Sequence, residues 1–77
     1  MMNALKLAIA DIFEIDADAL EMETPFQRCE HYDSLKVVLL MAALEEDFKL
    51  LVEPDQAESL NSLQAIVDYA ASQGVHF

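Results

Sequence analysis

Residues 33–48 read DSLKVVLLMAALEEDF, in which Asp33-Ser34-Leu35 stands immediately before a long apolar run. The run predicts a helix from Ser34 to about Phe48, so the Ser34 hydroxyl lies at the opening of that helix. Unpaired backbone N–H groups and the positive end of the macrodipole favour an anion at such an opening. A phosphate esterified to Ser34 would therefore sit where negative charge is stabilised.

Apolar residues occupy two sides of this predicted helix when they are counted at 100° per residue. The natural core side contains Val37, Leu40, Met41, Leu44 and Phe48. A second set, called the outer stripe here, consists of Leu35, Val38, Leu39 and Ala42. A monomer does not easily bury both sides. The outer stripe either packs under a neighbouring loop or forms an exposed docking surface, and we favour the exposed surface.

The N-terminal half predicts one further helix and a long loop. Apolar residues at i, i+3, i+4 and i+7 indicate an amphipathic helix from about Met2 to Glu14, and the stripe consists of Leu5, Ala8, Ile9 and Ile12. The periodicity ends between Asp16 and Asp33, where Leu20, Met22 and Phe26 are isolated apolar anchors. Loops of this length are usually functional, and this one leads to Ser34.

The C-terminal part predicts one short and one longer helix. Asp55 and Glu58 have the spacing of a capping box, which predicts a short helix from Asp55 to Leu60. Asn61 and Gln64 repeat that spacing and would open a last helix, which Gly74 should stop. The buried stripe of that last helix is predicted to be Leu63, Ile66, Val67 and Ala70. The fold class is therefore all-α, an antiparallel four-helix bundle with three longer helices and one short helix.

Composition limits the classes of function. The 77 residues form one domain, and 15 acids against 4 bases give a formal charge of −11, which disfavours nucleic acid and favours basic protein partners. The longest apolar run, Val37 to Leu44, is too short for stable membrane insertion. With a lone Cys29 and no leader-like opening, we expect a cytoplasmic monomer.

From Asp33 to Tyr69 the sequence resembles acyl carrier proteins without a gap. The resemblance is carried by Asp33-Ser34-Leu35, Leu44-Glu45-Glu46-Asp47-Phe48, Asp55, Ala57-Glu58 and Gln64-Ala65-Ile66-Val67-Asp68-Tyr69. Before this stretch, Thr24-Pro25-Phe26 stands where the family has a similar loop phenylalanine. The resemblance covers about half of the chain in the right order.

This resemblance implies a non-catalytic carrier. The family attaches 4′-phosphopantetheine to the Ser of Asp-Ser-Leu, so Ser34, flanked by Asp33 and Leu35, is the implied attachment residue. A phosphopantetheinyl transferase would install the group from coenzyme A. Acyl-loading and acyl-processing enzymes of fatty-acid, lipid or polyketide biosynthesis would then use its thiol to carry acyl groups as thioesters.

The resemblance also implies where partners dock. Family acids on this helix meet Arg and Lys of partner enzymes, and Glu45 and Glu46 match that pattern. Two departures reduce the negative charge, because Lys36 and Leu39 stand where acids are common. The docking face is predicted to contain Lys36, Val38, Leu39, Ala42, Glu45 and Glu46. We therefore expect a specialised carrier that binds dedicated partners through a more apolar surface.

Acyl carriers enclose their cargo between helices, which makes three core-side residues of the second helix candidates for an acyl pocket. They are Met41, Leu44 and Phe48. Met41 has an adaptable thioether that suits a cavity wall. Plain packing in the core remains the simpler interpretation for each of them.

The sequence is also compatible with several alternatives. Ser34 is also suited to capping the helix, and the chain would then be a helical interaction module that needs no modification. An aminoacyl or peptidyl carrier shares the attachment motif but usually lacks this acidity. Cys29 is more simply a loop hydrophobe than a zinc ligand, since His31 and the remote His76 do not complete a site. A hydrolytic triad of His31, Asp33 and Ser34 is disfavoured by their proximity in sequence.

Overall fold

Three α-helices and one short 3₁₀ helix provide the main regular structure. The protein is described by a computed structural model that covers residues 2–77. Helix α1 spans Met2–Phe13, α2 spans Ser34–Phe48, α3 spans Leu63–Ser72, and the 3₁₀ helix spans Pro54–Ser59. The first loop adds two 3₁₀ turns, Ala17–Ala19 and Phe26–Arg28. No strand occurs in the described part of the chain, and the predicted all-α bundle is confirmed.

Helix α2 has the bounds that the sequence predicts. Asp33 is its N-cap in an extended conformation, and its carboxylate accepts a hydrogen bond from the Lys36 backbone N–H at 2.9 Å. At the other end, Lys49 takes a left-handed conformation with φ 57°. The N–H groups of Lys49 and Leu50 both donate to the Leu44 carbonyl, which ends the helix after Phe48.

Helix α1 ends at Phe13, one residue before the predicted end at Glu14. Glu14 has φ 58°, and the Ile15 N–H donates to the Ala10 carbonyl at 2.9 Å. The Glu14 N–H donates to the Asp11 carbonyl at 3.3 Å, which completes a Schellman-type ending. Glycine is the usual residue at this position, because a left-handed backbone costs other residues about 1–2 kcal/mol. The helix therefore stops at a strained glutamate.

The predicted capping box of the short helix is wrong. Its N-cap is Glu53, which makes no side-chain capping bond, and Pro54 is the first helical residue. Proline suits that position because its fixed φ is already helical and its missing N–H is not needed there. The helix consequently starts one residue before the predicted Asp55.

The start of α3 also differs from the prediction, whereas its end agrees. Ser62, and not Asn61, is the N-cap, and its hydroxyl accepts a hydrogen bond from the Ala65 N–H at 3.1 Å. Gly74 follows the helix with φ 82°, and the next N–H, of Val75, donates to the Ala70 carbonyl at 2.8 Å. The predicted stop at Gly74 is therefore confirmed.

One continuous hydrophobic core joins these elements. Its buried residues are Leu5, Ile9, Phe13, Leu20, Phe26, Leu40, Leu44, Leu50, Val52, Leu60, Leu63, Ile66 and Ala70. Each fully buried large side chain contributes about 1.5–3 kcal/mol relative to an exposed one. The loop anchors Leu20 and Phe26 are confirmed as core residues. The predicted α1 stripe omitted Phe13, whose ring stacks on Phe26 with centroids 5.0 Å apart.

The first loop is attached to the start of α3. The Phe26 N–H donates to the Asn61 carbonyl, and the Gln64 N–H donates to the Met22 carbonyl, each at 2.8 Å. A capping Asn61 side chain would need the Gln64 N–H three residues on, and that N–H already donates to Met22. The two backbone bonds also hold the first loop to the start of α3.

Candidate cofactor-attachment site and docking face

Ser34 is the first residue of α2, and its side chain is exposed. The interpretation of Ser34 as the helix cap is wrong, because Asp33 provides the cap. Among residues 2–77, the Ser34 hydroxyl makes no hydrogen bond. Its oxygen is therefore accessible, and the helix does not need it for stability.

The backbone around Ser34 suits a phosphate ester. The Asp33 carboxylate occupies the Lys36 N–H, and the Val37 N–H donates to the Asp33 carbonyl at 3.4 Å. The N–H groups of Ser34 and Leu35 precede the first intrahelical bond and point out of the helix end. Together with the macrodipole, they give a positive end beside the Ser34 hydroxyl. These residues fit a phosphate-linked group.

A charged pair joins the end of α1 to the start of α2. The Lys36 ammonium lies 2.9 Å from a Glu14 carboxylate oxygen, and the His31 Nδ1 lies 4.0 Å from the same oxygen. The hydrogen bond and the charge of Lys36 hold the pKa of Glu14 below its ordinary value of 4.5. Only 18% of the Lys36 side chain is exposed, so this residue lies at the edge of the predicted docking face.

The outer stripe is exposed, as we favoured over a covering loop. Leu35, Val38 and Leu39 have 63%, 58% and 45% of their surface accessible, and Ala42 is also exposed. Glu45 and Glu46 are exposed farther along the helix. The predicted docking residues other than Lys36 thus form one open surface that begins beside Ser34. Their role in binding stays a prediction.

The three candidates for an acyl pocket lie in or beside the core. Leu44 is buried, whereas Met41 and Phe48 are half-buried and pack against the core. Two open surface clefts, of about 270 and 330 Å³, are lined by other residues. The pocket assignment therefore stays a prediction.

Cys29 packs against the core as a half-buried hydrophobe, as its simpler interpretation predicted. Burial raises the pKa of its thiol. Within residues 2–77, no cluster of three or more His, Cys, Asp or Glu side chains is arranged for a metal ion.

No helix between Met2 and Phe77 combines the length and the apolar character that crossing a membrane requires.

Comparison with known proteins identifies the family. A family model described as “Phosphopantetheine attachment site” matches residues 3–70. The chain belongs to the acyl carrier protein family. An acyl carrier protein of Campylobacter jejuni subsp. doylei is 38% identical over 65 residues, which are 84% of each chain. That of Clostridium acetobutylicum is also 38% identical over 65 residues, again 84% of each. That of Lactobacillus acidophilus is 33% identical over 70 residues, 91% of this chain and 88% of the relative.

Membership establishes a carrier domain whose covalently attached group is 4′-phosphopantetheine. Acyl carrier proteins work with biosynthetic enzymes, and this general role applies to the chain. The Asp33-Ser34-Leu35 motif and the apolar outer stripe of α2 were both recognisable in the sequence. Glu14 was not recognised as part of the site, because it lies 22 residues before its partner Lys36 and no local pattern connects them.

Proposed function

We propose that residues 1–77 act as one acyl carrier domain, with 4′-phosphopantetheine esterified to Ser34. Its task is to deliver acyl groups to enzymes of fatty-acid, lipid or polyketide biosynthesis. The observation that carries this proposal is the exposed Ser34 hydroxyl, which Asp33 frees from capping. The positive end of α2 supports a phosphodiester at that oxygen.

The group supplies a terminal thiol on a flexible arm, suited to thioester linkage. The protein's own contribution is to dock and to place that arm, so that a diffusional encounter becomes intramolecular. Asp33 fixes the start of α2 through its bond to the Lys36 N–H, and exposed Leu35 borders the attachment residue. Met41, Leu44 and Phe48 are the residues that we propose for contact with an acyl chain.

Attachment is tested by intact-mass measurement after incubation with coenzyme A and a promiscuous phosphopantetheinyl transferase. We expect one phosphopantetheine adduct on the wild-type chain and none on Ser34→Ala. Ser59→Ala is the matched control, because it removes another exposed hydroxyl and should keep the adduct. A wild-type chain that stays unmodified would contradict the proposal.

We further propose that this carrier is specialised for dedicated partners. The exposed Leu35, Val38 and Leu39 make the front of the docking face apolar, while Glu45 and Glu46 keep its far end acidic. Apolar contacts tolerate salt, whereas purely electrostatic docking weakens as salt screens the charges. Partner affinity should therefore fall only modestly between about 50 and 500 mM salt. A decline as steep as that of an all-acidic carrier would exclude the specialised interface.

The exposed outer stripe would equally suit an unmodified interaction module, but the family match and the Asp33 cap favour the carrier. Such a module would bind a partner helix or a second copy through Leu35, Val38 and Leu39 without any change at Ser34. The mass experiment separates the two, since only the carrier gains an adduct.

Loading assays with acyl and aminoacyl donors would separate an acyl carrier from an aminoacyl or peptidyl carrier. We also propose that the functional protein is a monomer in the cytoplasm.

A further inference from the structure

The position of Glu14 is unusual for a residue of its type. It occupies a left-handed position that glycine adopts without strain, and its carboxylate reaches across to α2. A conformation that is unfavourable for the residue present points to a role for its side chain. Stability alone is a weak reason to keep glutamate here, because 57% of this side chain is exposed and exposed ion pairs contribute little.

Lys36, the partner of Glu14, lies close to Ser34 at the start of α2. Lys36 is the only basic residue of α2, and it follows Ser34 by two positions. The chain is strongly acidic, and Glu45 and Glu46 are exposed on the docking face, so a complementary partner surface is basic. A free Lys36 ammonium at the attachment end would oppose that surface.

The Glu14 carboxylate changes this local charge. It holds the Lys36 ammonium at 2.9 Å against the end of α1 and leaves 18% of the side chain accessible. The pair is neutral, so the Asp33 carboxylate leaves the start of α2 with a net negative charge. Glu14, the residue after α1, thus supplies beside Ser34 an acid that the first turn of α2 lacks.

We propose that Glu14 is a positioning residue, which keeps the positive charge of Lys36 away from basic partner enzymes that dock beside Ser34. This inference rests on the proposed carrier function and adds a determinant of docking to it. It assigns Glu14 a role in recognition, in addition to its place at the end of α1. The relevant partner chemistry is a basic enzyme surface, of which a phosphopantetheinyl transferase is the testable example.

The test measures modification kinetics of the full chain with coenzyme A and a promiscuous phosphopantetheinyl transferase. Glu14→Gln should raise the KM for the carrier about threefold at low salt, with kcat unchanged, because it frees the Lys36 charge. The increase should disappear at high salt. Lys36→Gln combined with Glu14→Gln should restore the wild-type KM. Glu23→Gln removes an exposed acid in the first loop and is the matched control for net charge.

A second variant separates positioning from stability. Glu14→Gly removes the carboxylate but suits the left-handed backbone, so the chain should keep its stability while its KM rises as in Glu14→Gln. A purely structural role predicts the opposite, with a near-normal KM in the glycine variant. That result would overturn the proposal, as would an effect of Glu14→Gln that Lys36→Gln does not reverse.

The outcomes distinguish this inference from the function on which it rests. A normal adduct on the wild-type chain with an unchanged KM in Glu14→Gln overturns the role of Glu14 and leaves the carrier intact. An absence of any adduct on the wild-type chain overturns the proposed function and this inference together.

Discussion

The two sides of α2 have similar apolar residues and opposite environments. Leu40 and Leu44 on the inner side are 3% and 1% exposed, whereas Leu35 and Val38 on the outer side are 63% and 58% exposed. The difference arises because α1, α3 and the anchored loop cover only the inner side. Hydrophobicity alone therefore does not identify core residues in this helix. The inner side stabilises the fold, and the outer side remains available for a partner.

The largest expected effect comes from two adjacent leucines on opposite sides. Leu40→Ala should lower the free energy of unfolding by about 2–5 kcal/mol, because it leaves a cavity in the core. Leu39→Ala should change it by less than about 0.5 kcal/mol, since Leu39 is 45% exposed. Urea denaturation measures both values. Similar losses in the two variants would show that the outer stripe is covered after all.

A smaller effect extends the comparison to the first residues of the helix. Asp33→Ala should cost about 0.5–2 kcal/mol, because the Lys36 N–H loses its capping acceptor. Ser34→Ala should cost less than about 0.5 kcal/mol, since its hydroxyl supports no bond of the helix. Thermal unfolding monitored by circular dichroism compares the two. A larger loss for Ser34→Ala would mean that Ser34 caps the helix.

The smallest expected effect concerns the Glu14–Lys36 ion pair, which lies beside the start of α2. The pKa of Glu14 is lowered in the fold by Lys36, so its ionised form stabilises the protein at neutral pH. This contribution is present above pH 4.5 and is lost as the pH falls below 4.5 through the lowered pKa. The stability difference between wild type and Glu14→Gln should therefore shrink on acidification.

Urea titrations at a series of pH values measure that difference, with Glu23→Gln as the control. Comparison with a variant cancels the titration of the acids that both chains share. A difference that stays constant from neutral pH to well below 4.5 would mean that the Glu14 carboxylate does not stabilise the folded state through Lys36.

Local patterns predicted α2 well and the helix ends elsewhere less well. The bounds Ser34 and Phe48 follow from a strong apolar period that begins directly after Asp33. Asn61 and Ser62 are both good caps by residue type, and a distant contact decides between them. Because the Gln64 N–H that an Asn61 cap would bind donates to the Met22 carbonyl, the cap falls to Ser62.

The candidate site also contains residues that local sequence patterns predict and residues that only distant contacts bring together. Ser34 and the outer stripe were predictable, since a motif and a helical period are both read within a few residues. The Glu14–Lys36 pair was not, because it depends on a left-handed residue that ends α1 and on the return of the chain 22 residues later. Tertiary structure alone brings these two charges together.

The two backbone bonds between the first loop and the start of α3 have a consequence for motion. The amide protons of Phe26 and Gln64 are held by carbonyls from distant parts of the chain. They should exchange with solvent only when the loop separates from α3, so these two amide protons should exchange together. A spectroscopic label on the loop would then report its separation from α3.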